Sequence, residues 1–384
     1  DLDAEVDRVV AGDVAEPGLE LHAGDGAGDG ADEAGASDRA VRLVEPAAGV
    51  GEREGGGRVV LGVGVGSLPE EFALLGADYA ARGAVADEAM AALPPKAAVE
   101  AVREALLSGF DPATDPERQK VALPHGEMHL LPSALDGAVG VKVLGIQPAG
   151  STIDVPLVQG AYLLMGGETL TPQWLIDAAA LTTLRTPAVS VAGVLDLLRA
   201  SDAPLHVAIF GTGAQGRGHA ETISDVLDGV RDVTFTFISR HEPDGFPYRW
   251  VHAGTPAADQ CVSEAGLVVT ATSSPAPILN ANNLRDNAII LAVGAHTVDT
   301  RELSEDVLAS AQVVVEDLGA ARREAGDVAV AVEKHALEWD DVVVMADVVR
   351  GDVALDPQRR VVFKTVGMPW EDLAVARALV GRLS

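Results

Sequence analysis

Three cations and one glycine-rich loop carry the chemistry this sequence suggests. Lys142 lies inside Val139–Ile146, an otherwise apolar run. An unpaired ammonium is costly to bury, so it needs an anionic partner or a ligand. Strand alternation puts it on one face with Gly140 and Leu144. An edge-strand lysine that guards against aggregation fits the same pattern. Arg118 stands in a polar loop ahead of extended segments and by itself reads as a surface charge. Arg185 comes late in the apolar helical run Ala180–Pro187. A cation near a helix C-terminus is favourable without any ligand.

The loop is the more specific signal. Val207–Phe210 reads as a short buried strand and runs into Gly211-Thr212-Gly213-Ala214-Gln215-Gly216, a G-x-G-x-x-G pattern. The first glycine permits a tight turn, the second lets backbone approach a pyrophosphate, and the third permits close helix–strand packing. A helix N-terminus then offers free N–H groups to the anion. The flanking strand, helix and second strand (Val233–Ser239) make this a dinucleotide-binding site rather than a bare turn. No acid stands at the tip of the second strand, which ends Ser239-Arg240. A ribose 2′-hydroxyl usually meets Asp or Glu there, whereas a 2′-phosphate prefers Arg. The expected cofactor is therefore NADP(H), with NAD(H) open should Glu242 reach the ribose.

The elements that must position these groups follow from periodicity. Pro94 and Pro95 open a helix through Ser108, with Val99, Val102, Ala105 and Leu106 on one face. Extended segments are expected at roughly 127–132, 138–146 and 155–165. A long helix is expected from about Pro172 to Ala200, kinked at Pro187. Beyond Leu205, short apolar strands alternate with helices, the pattern of a parallel sheet. The fold class is α/β: a doubly wound parallel sheet plus an α+β domain. The expected division is an acidic Gly-rich extension over 1–75, an α+β domain over 76–186 with 345–384 returning to it, and the parallel-sheet domain over 187–344.

Charge narrows the function classes. The chain has 384 residues and a formal net charge of −30. That disfavours phosphate backbones and anionic membrane surfaces. Residues 1–57 alone hold 15 Asp/Glu against four Arg, with 12 Gly. They lack the apolar surface to offset ordering entropy, so they read as disordered, or as an acidic docking tail. Lysine occurs five times. Coding bias explains that scarcity, and a salty cytoplasm is the rival reading. A single cysteine, Cys261, excludes an intrachain disulfide and a Cys-rich metal site. No metal is expected. A reducing, cytoplasmic setting follows, with no membrane span and no signal peptide.

Several stretches together resemble the ornithine cyclodeaminase/μ-crystallin family. They are Ala180–Ala188, Gly211–Arg217 with His219, Val269–Ser274, and Phe363–Met368 with Glu371 and Asp372. The resemblance covers roughly residues 80–384. It implies a homodimer with a Rossmann NAD(P)-binding domain and a separate substrate/dimerisation domain. It further implies that Thr270, Ala271, Thr272, Ser273, Val293 and Gly294 join the glycine loop, Ser239 and Arg240 around the cofactor. Arg118, Lys142 and Arg185 stand at positions matching a family carboxylate site. Arginine clamps a carboxylate in bidentate fashion, and lysine can share a proton with the reacting nitrogen.

One departure bears on the reaction. The cyclodeaminases are expected to carry an acid as the third residue of a G-x-D segment. Here the segment is Gly294-Ala295-His296, with Asp299 three residues later. The resemblance therefore implies an NAD(P)H-dependent reductase of a small cyclic imino acid, such as Δ1-pyrroline-2-carboxylate. Lys142, with Asp299 or His296, would act on protons or orient the substrate. The alternatives are an ornithine cyclodeaminase, an alanine-type dehydrogenase, and a non-enzymatic ligand binder of the μ-crystallin kind.

Overall fold

The computed structural model describes residues 60–61, 90–148 and 158–383, which build two sheets. The first contains β1 (Val60–Leu61), β2 (Gln119–Leu123), β3 (Gly126–Leu135), β4 (Ala138–Ile146), β5 (Val158–Gly166) and β6 (Pro172–Asp177). Its spatial order is β1-β6-β5-β4-β3-β2. Strands β2 to β6 pair antiparallel, and β1 adds in parallel to the edge at β6. β4 is interior, and Lys142 lies opposite Leu131 on one side and Tyr162 on the other. The edge-strand reading of Lys142 is therefore excluded.

The second sheet contains β7 (Leu205–Phe210), β8 (Val233–Ser239), β9 (Arg249–His252), β10 (Leu267–Thr270), β11 (Ile289–Ala292), β12 (Ala311–Val315), β13 (Val342–Val344) and β14 (Arg360–Lys364). All pairings are parallel, in the order β13-β12-β14-β11-β10-β7-β8-β9. The central strands are short and almost wholly apolar, as sheets covered on both faces require. The chain builds outward from β7 in one direction and returns to β10 on its other side. The crevice beyond the carboxyl ends of β7 and β10 is thus the switch point where such sheets bind ligands.

Five helices matter for the site: α1 (Pro95–Leu107), α2 (Ala178–Ala192), α3 (Ala214–Leu227), α4 (Leu318–Glu324) and α5 (Pro369–Leu383). α1 buries Val99, Val102, Ala105 and Leu106, as its spacing requires. α2 packs against α1 and α3, and α5 packs against α1, α2, β3 and β4. No helix among the described residues is long and apolar enough to cross a membrane.

Three expectations need correction. Residues 172–177 are a strand, and α2 begins only at Ala178, where Asp177 Oδ1 accepts from Ala180 N at 2.7 Å. That cap starts the helix, and α2 continues through Pro187 to Ala192. Arg185 therefore stands mid-helix, away from the carbonyl end. The returning tail is also split. Arg360–Lys364 is a strand between β11 and β12, whereas α5 covers the antiparallel sheet and the helix Met345–Arg350 packs against α1. Finally, Val60–Leu61 falls within the expected 1–75 extension but pairs with Trp174 and Leu175. The rest of that extension, and the expected strand start at 155–157, lie outside the described residues.

Candidate active site

Lys142 is 1% exposed, on an interior strand. Its Nζ donates to Asp372 Oδ1 at 2.8 Å and lies 2.7 Å from Oδ2. It also reaches Thr182 Oγ1 at 3.5 Å. Burial, and after it the neighbouring Arg185, lower its pKa to about 8, while Asp372 opposes the shift. Asp372 sits in the first turn of α5, where the helix dipole favours an acid.

Arg185 comes from α2 and is also buried. Its Nη1 donates to Glu371 Oε2 at 2.8 Å, and its Nε stands 3.0 Å from Asp372 Oδ1. Asp372 thus bridges Lys142 and Arg185. Burial and the adjacent Glu316 push the Glu371 carboxyl well above the usual range, although Arg185 pulls the other way.

Arg118 approaches from the loop before β2. Its Nη2 donates to Val366 O at 3.0 Å and to Gly367 O, and it pairs with Glu324 Oε2 at 2.9 Å. Gly367 lies between the two arginines. Its φ is +78°, and a Cβ there would stand 2.6 Å from Arg185 Nη1. A side chain at this position is excluded twice, by strain and by the guanidinium. The same turn is held from beneath by Glu316, which accepts from Val366 N at 2.8 Å, Gly367 N at 3.1 Å and the Thr365 hydroxyl.

A second acid sits beside this cluster. Asp115 accepts from Ser133 Oγ at 2.6 Å and from Trp370 N at 2.8 Å. Burial nevertheless raises its pKa to about 6. Tyr162 stands across from Lys142 with its hydroxyl buried and unpartnered. Gly140 makes room for it, because a Cβ there would lie 2.0 Å from Tyr162 Oη.

Buried polar atoms without a hydrogen-bond partner are few in native proteins. Here Tyr162 Oη is buried with neither a hydrogen-bond partner nor an ion pair, whereas Arg185 Nε, Glu324 Oε2 and Asp372 Oδ2, which also lack a hydrogen bond, are held in the ion pairs above. The Tyr162 hydroxyl is the group of this cluster left to meet a polar ligand.

The glycine loop lies next to it. Gln215 Nε2 donates to Thr182 O at 3.3 Å, so Thr182 touches both the loop and Lys142. Gly211 has φ +104°, and a Cβ on it would meet Ala271 O at 2.3 Å. A Cβ on Gly216 would meet Gly211 O at 2.1 Å, whereas one on Gly213 would meet nothing within 4 Å. The second glycine therefore faces open space at the start of α3, whose N-terminus carries no side-chain cap. These residues fit a dinucleotide pyrophosphate.

The remaining expected cofactor residues are distributed unevenly. Thr270 is fully buried, and its hydroxyl donates to Glu302 Oε2 at 2.9 Å. Glu302 also accepts from Thr272 N at 2.8 Å, Thr272 Oγ1 at 2.6 Å and Gly294 N at 2.7 Å. It therefore ties the turn after β10 to the turn after β11. Ala271 and Val293 are half-buried beside them, and Ser273 is exposed. Ser239 Oγ donates to His241 O at 2.6 Å and accepts from Trp250 Nε1 at 2.8 Å. Arg240 is exposed. Arg217, which sequence reading passed over, lies 5.1 Å over the Phe246 ring and donates to Thr212 O at 3.1 Å.

His296 and Asp299 are exposed on the turn after β11. His296 Nδ1 lies 3.0 Å from Gly294 O. Among the described residues, no hydrogen bond or ion pair joins either of them to Arg118, Lys142 or Arg185. The acids that do meet these cations, Glu324, Glu371 and Asp372, were not among the expected site residues. Their positions late in the chain offered no local signal, although Glu371 and Asp372 lie within a stretch that carried the family resemblance.

A family model described as "Ornithine cyclodeaminase/mu-crystallin family" matches residues 85–384. The chain belongs to this family. A Δ1-pyrroline-2-carboxylate reductase of Burkholderia ambifaria is 30% identical over 271 residues, covering 68% of this chain and 83% of that protein. A solved Δ1-pyrroline-2-carboxylate reductase from Thermococcus litoralis, in complex with NADH and L-proline, superposes with a TM-score of 0.65 at 22% identity. It covers 75% of this chain and 93% of its own. An archaeal alanine dehydrogenase dimer with bound NAD gives a TM-score of 0.66 at 23% identity, covering 77% and 93%. Membership also accounts for the fold class, a parallel dinucleotide-type sheet joined to an antiparallel one.

Proposed function

We propose that the protein is an NAD(P)H-dependent reductase of a small cyclic imino acid of the Δ1-pyrroline-2-carboxylate type, yielding the cyclic amino acid. The observation that carries this reading is the contact of one residue, Thr182, with both Lys142 and the glycine loop. A carboxylate-binding cation cluster and a dinucleotide loop thereby share one wall. The Burkholderia relative is named for the same activity.

Arg118 and Arg185 bind the substrate carboxylate, which fixes the ring with C2 toward the crevice beyond β7 and β10. Reduction of the C=N bond adds hydride at C2 and a proton at nitrogen, and the reduced nicotinamide supplies the hydride when bound. Lys142 holds a proton at Nζ beside the nitrogen, within a site dry enough to lower its pKa to about 8. Holding the reactants in contact supplies much of the acceleration. His296 and Asp299 orient the substrate from the exposed side or relay a proton to it.

The 2′-phosphate of NADP(H) would meet Arg240, with Arg217 a second cation at the loop. NAD(H) is the other candidate at this site, because the solved relatives named above hold NADH and NAD. A homodimer through the antiparallel sheet domain is part of the same reading, as is division into a substrate domain and a Rossmann domain.

The test is a substrate screen with both nicotinamides. Oxidation of NADPH or NADH dependent on pyrroline-2-carboxylate supports the proposal. Ammonia release from ornithine without net change in nicotinamide absorbance would replace it with a cyclodeaminase. Reduction of pyruvate with ammonia would point to an alanine-type dehydrogenase. Cofactor binding with no turnover of any of these would leave a ligand-binding protein.

A further inference from the structure

Asp372 is the structural centre of the cation cluster, yet the mechanism above gives it no task. It is fully buried, and its carboxylate contacts Lys142 Nζ at 2.7–2.8 Å and Arg185 Nε at 3.0 Å. The groups facing Lys142 come from four elements. They are Thr182 and Arg185 on α2, Tyr162 on β5, Arg118 from the loop before β2, and Asp372 with neighbouring Glu371 on α5. Asp115 acts on Asp372 and Tyr162 from the same loop as Arg118. Among the described residues, Asp372 is the acid within ion-pair distance of Lys142.

Two consequences follow from that placement. The first is geometric. A lysine ammonium rotates freely on a four-carbon stem, and a carboxylate on one side leaves its remaining protons directed elsewhere. The second is electrostatic. Without the carboxylate, Lys142 would face Arg185 and Arg118 in a buried volume. A guanidinium does not surrender its proton, so the ammonium would be the group to lose charge. Arg185 would keep Glu371 as a partner in that event.

We infer that Asp372 is a positioning residue for the proposed imine reduction, holding the Lys142 ammonium charged and aimed beside the substrate nitrogen. This inference rests on the role given to Lys142 above. It predicts a particular split in the kinetics. Substrate capture depends on the arginines and should suffer little, whereas proton supply should fail at alkaline pH.

The test uses the full chain and has a readout that needs no turnover. With only five lysines in the sequence, a chain labelled at lysine 13Cε gives five side-chain signals to follow by NMR. The Lys142 signal is assigned by its loss in Lys142→Met. In Asp372→Asn, Lys142 should titrate at least about one pH unit lower than in the unaltered protein, the equivalent of a tenfold change in proton affinity. In parallel, the alkaline limb of kcat should move to lower pH by a similar amount. KM for the imino acid should stay within about threefold, and activity should recover toward pH 6. Asp372→Glu keeps the charge and displaces it. It should leave the titration near that of the unaltered protein while lowering kcat.

An unchanged Lys142 titration in Asp372→Asn would overturn the inference, whatever the activity. If Asp372→Asn does not fold, Asp372→Glu decides alone, and an unchanged kcat there would overturn it, because the displaced carboxylate would then aim the ammonium no worse. If the unaltered enzyme reduces no imine, the functional proposal fails separately, because the NMR titration is still read.

Discussion

Arg118 and Glu324 meet at 2.9 Å, one from the loop before β2 and the other from the last turn of α4. Their neighbours meet in the reverse sense, Glu117 with Arg323 at 2.9 Å. An acid–base dipeptide thus faces a base–acid dipeptide across the site. The outer pair is exposed and contributes little, whereas the inner pair is largely buried and places a carboxylate against a proposed substrate-binding guanidinium. If Arg118 binds the substrate carboxylate as proposed, Glu324 competes for the same guanidinium.

Removing that competitor should tighten substrate binding. Glu324→Gln is expected to lower KM for the imino acid by up to roughly tenfold, equivalent to about 1.4 kcal/mol, with kcat nearly unchanged. Steady-state kinetics at fixed saturating cofactor measure this. A raised KM would show that Glu324 supports the clamp rather than occupying it.

Lys142→Met should reduce kcat by about 10²- to 10⁴-fold, the usual worth of a positioned acid or base. Cofactor affinity, measured by nicotinamide fluorescence, should change by no more than about twofold, because the glycine loop contacts Thr182 and not Lys142 directly. In the unaltered enzyme, kcat should fall as pH rises through about 8, where Lys142 loses its proton. Full turnover by Lys142→Met would remove the residue from the mechanism.

Asp115 provides a stability prediction with a definite sign. Burial raises its pKa in the fold to about 6, from the 3.8 of an aspartate in water. The native state therefore holds this proton more tightly than the unfolded chain does. Between those two values the native state binds more protons, so stability falls as pH rises. Two units correspond to about 3 kcal/mol at most. Asp115→Asn cannot ionise, so its stability relative to the unaltered protein should improve from pH 4 to pH 7. Urea midpoints at four pH values measure the difference, and parallel curves would contradict it.

Arg240→Asp should weaken NADPH more than NADH, by about tenfold or more in relative Kd, since an added carboxylate repels the 2′-phosphate. Equal effects on the two cofactors would remove Arg240 from the cofactor proposal. Selective loss in Arg217→Ala would then move the 2′-phosphate site to the loop helix.

The parts of this fold that were readable from the sequence are those governed by local rules. The glycine loop announced its strand and helix because each glycine answers a nearby steric demand, and Gly211 and Gly216 meet theirs within the crevice itself. Lys142 was readable as an anomaly because burying an ammonium needs a partner. That partner was not readable. Asp372 lies 230 residues later, and nothing in its own helix distinguishes it from a solvated acid. Strand β6 was hidden for a different reason. Residues 172–184 carry apolar residues on both sides of Asp177 with no Gly or internal Pro to break them, and the change from strand to helix depends on the cap that Asp177 makes. Strand β14 was assigned to the wrong partner because a short apolar run does not state which sheet it will join.

The position of β14 and α5 sets an order of events during synthesis. The antiparallel sheet, α2 and its arginine are complete once residue 192 is made, but the acid that neutralises Lys142 is still 180 residues away. Until then the interior of that sheet holds a cation without a counter-ion, which favours a loose, water-accessible intermediate. The last strand enters between β11 and β12, so the parallel sheet too stays open until the same stretch emerges. Both halves of the molecule should therefore lock together late, in one step, with the carboxylate of Asp372 arriving as the charge that makes the antiparallel interior dry.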